Sequence, residues 1–143
     1  MESMNTESNR PARRWMCGAL ITFSLTLGAA ACGGGDASGP ELSAAGERGK
    51  SLSSSSGCAG CHGTNGQGGV GPTWQGLAGA EVELADGTMV VADEEYLIRA
   101  IKEPNADLRA GYPVQMPRNN LDDEQVADIV AYINDLSAVT PGG

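Results

Sequence analysis

Cys58-Ala59-Gly60-Cys61-His62 sets two thiols with two residues between them and an imidazole directly after the second. Sulfurs at this spacing suit thioether bonds to the two vinyl groups on one edge of a porphyrin, and the following His is then held under the plane to ligate iron. Covalent attachment of one c-type haem is the chemistry these five residues imply. Two other chemistries use paired thiols. A structural zinc site takes four N or S ligands, and beyond the leader the chain has only Cys32, Cys58, Cys61 and His62, with no second Cys-x-x-Cys pair. A redox dithiol sits in a βαβ context, whereas here a short helical segment precedes the motif and a glycine-rich loop follows it.

The opposite axial position needs a second ligand. His62 is the only histidine, so bis-His ligation within one chain is excluded. Thioether sulfur suits haem iron in electron carriers, and beyond the leader the methionines are Met89 and Met116. Met89 falls in an expected strand and reads as a filler of core gaps. Met116 lies in a loop punctuated by Pro113 and Pro117, and Pro117 holds it to an extended backbone. Met116 is therefore the candidate distal ligand, with Met89 and an open or weakly ligated iron as the alternatives. No constellation of acid, base and nucleophile is visible, so no catalytic residue is assigned and the chain is not expected to be an enzyme by itself.

Residues 1–31 read as an export signal. Arg10, Arg13 and Arg14 precede a mostly apolar run from Trp15 to Leu27, and Gly28-Ala29-Ala30-Ala31 supplies small residues before Cys32. The apolar run is short for a membrane span and is broken by Thr and Ser. Cleavage before Cys32 would leave that cysteine at the N-terminus for lipidation, as in bacterial lipoproteins, and residues 32–43 would form a flexible tether. Cleavage by ordinary signal peptidase, leaving a soluble periplasmic protein, is the alternative. Cys17 lies within the leader and has no expected role.

The chain has 9 basic and 18 acidic residues. Without the leader, which holds Arg10, Arg13, Arg14, Glu2 and Glu7, six basic and sixteen acidic residues remain, a formal charge of −10. Nucleic-acid binding rests on a Lys/Arg surface and is excluded on this balance. An acidic surface steers toward basic patches on a partner, although most of these charges are expected simply to be solvated.

About a hundred residues follow Pro40, the size of one domain. Their only aromatics are Trp74, Tyr96, Tyr112 and Tyr132, a thin supply that a buried porphyrin would supplement. A first helix is expected from Ala44 to about Ser54, with Gly49 and Leu52 inward, ending in a serine run that favours caps and turns. Residues 63–72 hold five glycines and read as a loop that can pass close to a ligand. Val82-Glu83-Leu84 and Met89-Val90-Val91 flank Asp86-Gly87, the pattern of a small β-hairpin. Asp93 caps a helix running to Glu103 with Leu97, Ile98 and Ile101 apolar, and Pro104 ends it. Asp122, with Gln125 at the capping-box position, opens a last helix whose stripe is Val126, Ile129, Val130 and Ile133. The expected fold class is mainly α, three to four short helices with a small hairpin insertion, over 44–137, followed by a disordered tail at 138–143.

With these motifs in order, the chain resembles a class I cytochrome c. The run from Gly49 through the Cys58–His62 box, Gly68-Gly69-Val70-Gly71-Pro72, the Asp86-Gly87 hairpin, Pro104-Asn105-Ala106, Gly111-Tyr112-Pro113, Met116-Pro117 and Ala131-Tyr132-Ile133 is similar to the cytochrome domain fused to subunit II of some bacterial haem–copper oxidases. The copper-binding domain and transmembrane helices of such subunits have no counterpart in this sequence, which looks like a lipid-tethered relative similar to the monohaem lipoprotein subunits of respiratory complexes such as alternative complex III. The resemblance implies the cytochrome c fold wrapped around one covalent haem. It implies Cys58 and Cys61 as the covalent anchors, His62 as proximal iron ligand, Met116 as distal ligand, and Pro72 as the carbonyl that accepts a hydrogen bond from the proximal imidazole. It also implies a close crossing of first and last helices at Gly49 and Tyr132. Ser53 departs from the pattern, standing where an aromatic is usual.

Trp74 and Leu77 are expected against the haem. Tyr112 and Arg118 flank the ligand loop with donors that suit haem propionates or solvent equally. The expected function is one-electron transfer on the outer, periplasmic side of a bacterial membrane, between respiratory-chain partners such as an oxidase or alternative complex III type assembly. Two alternatives stay open: a haem sensor or peroxidase-like protein with a labile distal ligand, and a haem-free envelope dithiol protein.

Overall fold

The first helix, α1 (Ala44–Ser55), begins where Ser43, in extended backbone, turns its hydroxyl to accept the Gly46 amide at 3.0 Å. It ends in the serine run, where the Ser56 amide closes on Leu52 O at 2.8 Å. These coordinates are a computed structural model that describes residues 39–141. The expected leader, Cys32 and the first part of the tether lie outside the described residues. The end of the expected tether is tied down: Leu42 packs against the core, and the Ser43 amide and hydroxyl both donate to Asp135 Oδ2 at 2.8 Å.

One turn of helix, α2 (Ala59–His62), carries the Cys-x-x-Cys-His motif. After a glycine-rich loop come β1 (Glu81–Glu83) and β2 (Met89–Val91), an antiparallel pair with Glu81 opposite Val91, Val82 opposite Val90 and Glu83 opposite Met89. The two-residue repeat turns Val82 into the core and both glutamates to solvent. The connection is a three-residue loop: the Gly87 amide reaches Leu84 O (2.9 Å), the Leu84 amide reaches Thr88 O (2.8 Å), and Gly87 takes φ +85°. Only glycine adopts that conformation without strain, which is why Asp86-Gly87 marked the turn.

Helix α3 (Glu94–Lys102) opens with Asp93 accepting the Tyr96 amide at 2.9 Å. Helix α4 (Asp123–Asp135) opens with a complete capping box: Asp122 accepts the Gln125 amide at 2.9 Å, and the Gln125 side chain accepts the Asp122 amide at 3.0 Å. Both caps satisfy amides that a helix start leaves without an intrahelical acceptor. The stripe Val126, Ile129, Val130 and Ile133 is buried, with Tyr132 and Leu136 beside it, in one core with Leu97 and Ile101 of α3, Val82 of β1, and Trp74 and Leu77 from the segment before β1.

Helices α1 and α4 cross at glycine. A Cβ on Gly49 would fall 2.0 Å from Asp128 O and 2.9 Å from Tyr132 Cβ, so the backbones pass with no room for a side chain. Tyr132 is 1% exposed at this crossing. The departure at Ser53 is absorbed within α1: the side chain is buried and its hydroxyl donates to Lys50 O at 2.8 Å. Arg48 and Asp128 pair across the rim at 2.6 Å.

Two expectations need correcting. Met89 does not fill the core; it is 56% exposed, because strand alternation puts it on the outer face with Val91 while Val90 turns inward. The tail does not leave the fold at residue 138. Val139 packs against the core, its amide donates to Leu136 O at 3.0 Å, and Pro141 lies beside Gly76. Among the described residues no helix is long and apolar enough to cross a membrane.

Candidate functional site

Helix α2 explains why the motif's spacing matters. The Cys61 and His62 amides both donate to Cys58 O, at 3.1 and 3.0 Å, so Cys58, Cys61 and His62 occupy positions i, i+3 and i+4 of one turn and share a face. Both cysteines are free and half-buried, and burial raises the Cys58 thiol above its ordinary pKa. Across from them, the same mostly apolar cleft is lined by Leu97 and Ile101 of α3 and by Met116.

The imidazole is fixed from three sides. His62 Nδ1 lies 2.8 Å from Pro72 O. A carbonyl can only accept, so Nδ1 carries the proton and Nε2 keeps its lone pair. Burial lowers the His62 pKa, only partly opposed by the bond to Pro72, so the ring is neutral at pH 7, as a metal-ligating imidazole must be. Trp74 stacks on the ring with centroids 4.7 Å apart and planes 22° apart. Gly71 passes over it, where a Cβ would stand 3.0 Å from Cε1.

The loop that supplies Pro72 is itself anchored. The Gly68 amide donates to His62 O at 2.7 Å, the Gly71 amide to Cys61 O at 3.0 Å, and the Trp74 amide to Gly66 O at 2.7 Å. Trp74 in turn meets Tyr132 edge-on, at 6.0 Å and 88°. The ring position is thereby coupled through Trp74 and Tyr132 to the glycine crossing of α1 and α4.

Met116 is half-buried in the irregular segment between α3 and α4. That segment is fastened by Asn119, whose amide group donates to Ile101 O (2.7 Å) and whose carbonyl accepts the Leu121 amide (3.2 Å). Nearer its start, Arg99 pairs with Asp107, with Nε at 2.6 Å. Trp74 and Leu77, expected beside the cofactor, both line the cleft and are buried. Tyr112 and Arg118 stand on its rim, Tyr112 half-buried and Arg118 exposed. Met89 is not among the lining residues.

Sequence reasoning missed two residues here. Asn119 holds the methionine loop through a single backbone contact that no spacing predicts. Arg109 reaches the cleft, with its guanidinium 5.8 Å from the Tyr112 ring centroid, and its Nη1 is buried without a hydrogen-bond partner.

The donor set fits a covalently held haem. Two unpaired thiols share a helix face with a neutral imidazole whose free nitrogen is Nε2, a thioether lines the same apolar cleft, and a half-buried arginine there has an Nη1 without a hydrogen-bond partner. A zinc centre fits less well: among the described residues no group of three or more His, Cys, Asp or Glu converges. The dithiol context is missing too, since the sheet described is the two-stranded hairpin and forms no βαβ unit.

Fold and site together define a small helical protein that carries a c-type haem. Residues 46–137 match the family model for cytochrome c, and the chain belongs to that family. Its cofactor is accordingly haem c, covalently attached, and its role is that of an electron carrier. No curated protein matches the chain.

Proposed function

We propose that this chain is a monohaem electron carrier tethered by a lipid on Cys32 to the periplasmic side of a bacterial membrane, passing single electrons between respiratory-chain components. Haem bound in the cleft supplies a one-electron Fe(II)/Fe(III) couple. Cys58 and Cys61 would anchor it covalently, and His62 through Nε2 and Met116 through its thioether would ligate the iron. Pro72 O orients the imidazole and raises its basicity by accepting the Nδ1 proton's hydrogen bond. An imidazole and a thioether together would favour the reduced iron and exclude oxygen and peroxide from it.

The observation that carries this reading is the His62 Nδ1 to Pro72 O bond of 2.8 Å, in a cleft that Cys58, Cys61 and Met116 also line. The similarity to the cytochrome domain of oxidase subunit II, and the acidic surface, support a respiratory partner that presents a basic docking face. Removing the Met116 thioether tests the ligand set: Met116→Ala admits carbon monoxide rapidly and changes the visible spectrum, while the native protein binds it slowly or not at all. Rapid binding to the native protein would instead favour a sensor or peroxidase-like role. Co-purification from detergent-solubilised membranes tests the tether and the partner, a soluble haem protein counting against Cys32 lipidation.

A further inference from the structure

Arg109 holds a charge that the polypeptide leaves unanswered. Its guanidinium has only donors and no acceptor. Among the described residues its Nη1 is the buried side-chain polar atom that lacks a hydrogen-bond partner. The nearest acid in sequence, Asp107, is engaged by Arg99, with Nε at 2.6 Å. Tyr112 offers the guanidinium a ring face at 5.8 Å and not an acceptor.

The backbone around Arg109 is held firmly. Arg109 forms an isolated antiparallel bridge with Leu84, the Ala85 amide donates to Leu108 O at 2.7 Å, and the Ala110 amide donates to Glu83 O at 2.9 Å. The hairpin thus grips the chain on both sides of Arg109, whose side chain lines the cleft that Cys58, His62 and Met116 share. A buried, fixed guanidinium in a cofactor cleft calls for a carboxylate, and the acids that haem carries are its propionates.

We infer that Arg109 Nη1 donates to a haem propionate carboxylate, with the β1–β2 hairpin as the brace that sets its position. The inference rests on the haem reading above. Neutralising that carboxylate beside the iron makes the ferric state less favourable, so Arg109 raises the reduction potential.

The test compares native holoprotein with Arg109→Met, Arg109→Lys and, as a control for lost charge away from the cleft, Arg48→Met. Arg109→Met is expected to raise the ferric-to-ferrous ratio at a fixed ambient potential by about twofold or more, and to shift the propionate bending band in the resonance Raman spectrum. Arg109→Lys keeps the charge and most of the potential but shifts the band, because the planar fork is lost. Arg48→Met leaves the band in place. An unchanged potential and band in Arg109→Met with the axial-ligand spectrum intact would overturn the assignment while leaving haem binding standing. Should Arg109→Met fail to accumulate, an unmoved band in Arg109→Lys would overturn it equally. A native protein without haem would overturn the parent reading and this one together.

Discussion

His62 depends on groups that have no chemistry of their own. Its ring is held between the Trp74 face, the Pro72 carbonyl and the bare Cα of Gly71. A methyl group at Gly71 would press on three ring atoms at 3.0 to 3.2 Å, and a ring stacked on one side and hydrogen-bonded at its edge has little room to retreat. Gly71→Ala is therefore expected to destabilise the fold by about 1–3 kcal/mol through overpacking, measured by denaturant unfolding, and to weaken the Nδ1 hydrogen bond, measured by the imidazole proton's NMR shift. Unchanged values for both would mean that the loop lifts away freely. The pentapeptide and Met116 were legible because their chemistry is tied to residue type and local spacing, and Pro72 was legible through the family resemblance. Arg109 was not, since its place in the cleft depends on a bridge to Leu84 across the hairpin.

The elements were read mainly from their ends. Asp93 and Asp122 mark helix starts through side-chain oxygens that accept backbone amides, and Asp86-Gly87 marks the hairpin through one positive φ; the Ser43 cap of α1 emerged only in the structure. Helix α2 was not separately legible, because four residues carry no hydrophobic period. The close crossing of α1 and α4 at Gly49 and Tyr132 was legible through the family resemblance, and the structure shows how close it is. Alanine at Gly49 would gain about 1 kcal/mol in helix propensity, yet its Cβ would sit 2.0 Å from a backbone oxygen, so the clash decides. Gly49→Ala is expected to cost about 2–3 kcal/mol net and to lower Tm by roughly 10–20 °C; an equal or higher Tm would contradict the crossing. The rim pair has a different signature. Arg48 holds the Asp128 carboxyl below its ordinary pKa, chiefly by hydrogen bonding. A depressed carboxylate stabilises the fold above its unfolded pKa of about 3.9, and that contribution is lost as pH falls through the lower folded value. A small Tm deficit of Asp128→Asn at pH 7 should therefore vanish in acid, as thermal scans across that range would show.

At the scale of the whole molecule, helices, hairpin and loops surround one cleft, and the side chains alone make a modest core with few aromatics. The mainly α fold was legible from caps and periodicity. The route by which Gly49, Tyr132 and Trp74 connect the helix crossing to the His62 ring was not, because those contacts join residues from four separate segments. The cleft itself is mostly apolar, which suits the porphyrin of haem c. Mass spectrometry of the peptide spanning Cys58 to Cys61, taken from protein made in cells competent for c-type haem attachment, bears most directly on the central claim. One haem's mass on that peptide is the predicted result. The bare peptide, from a colourless protein, would contradict it.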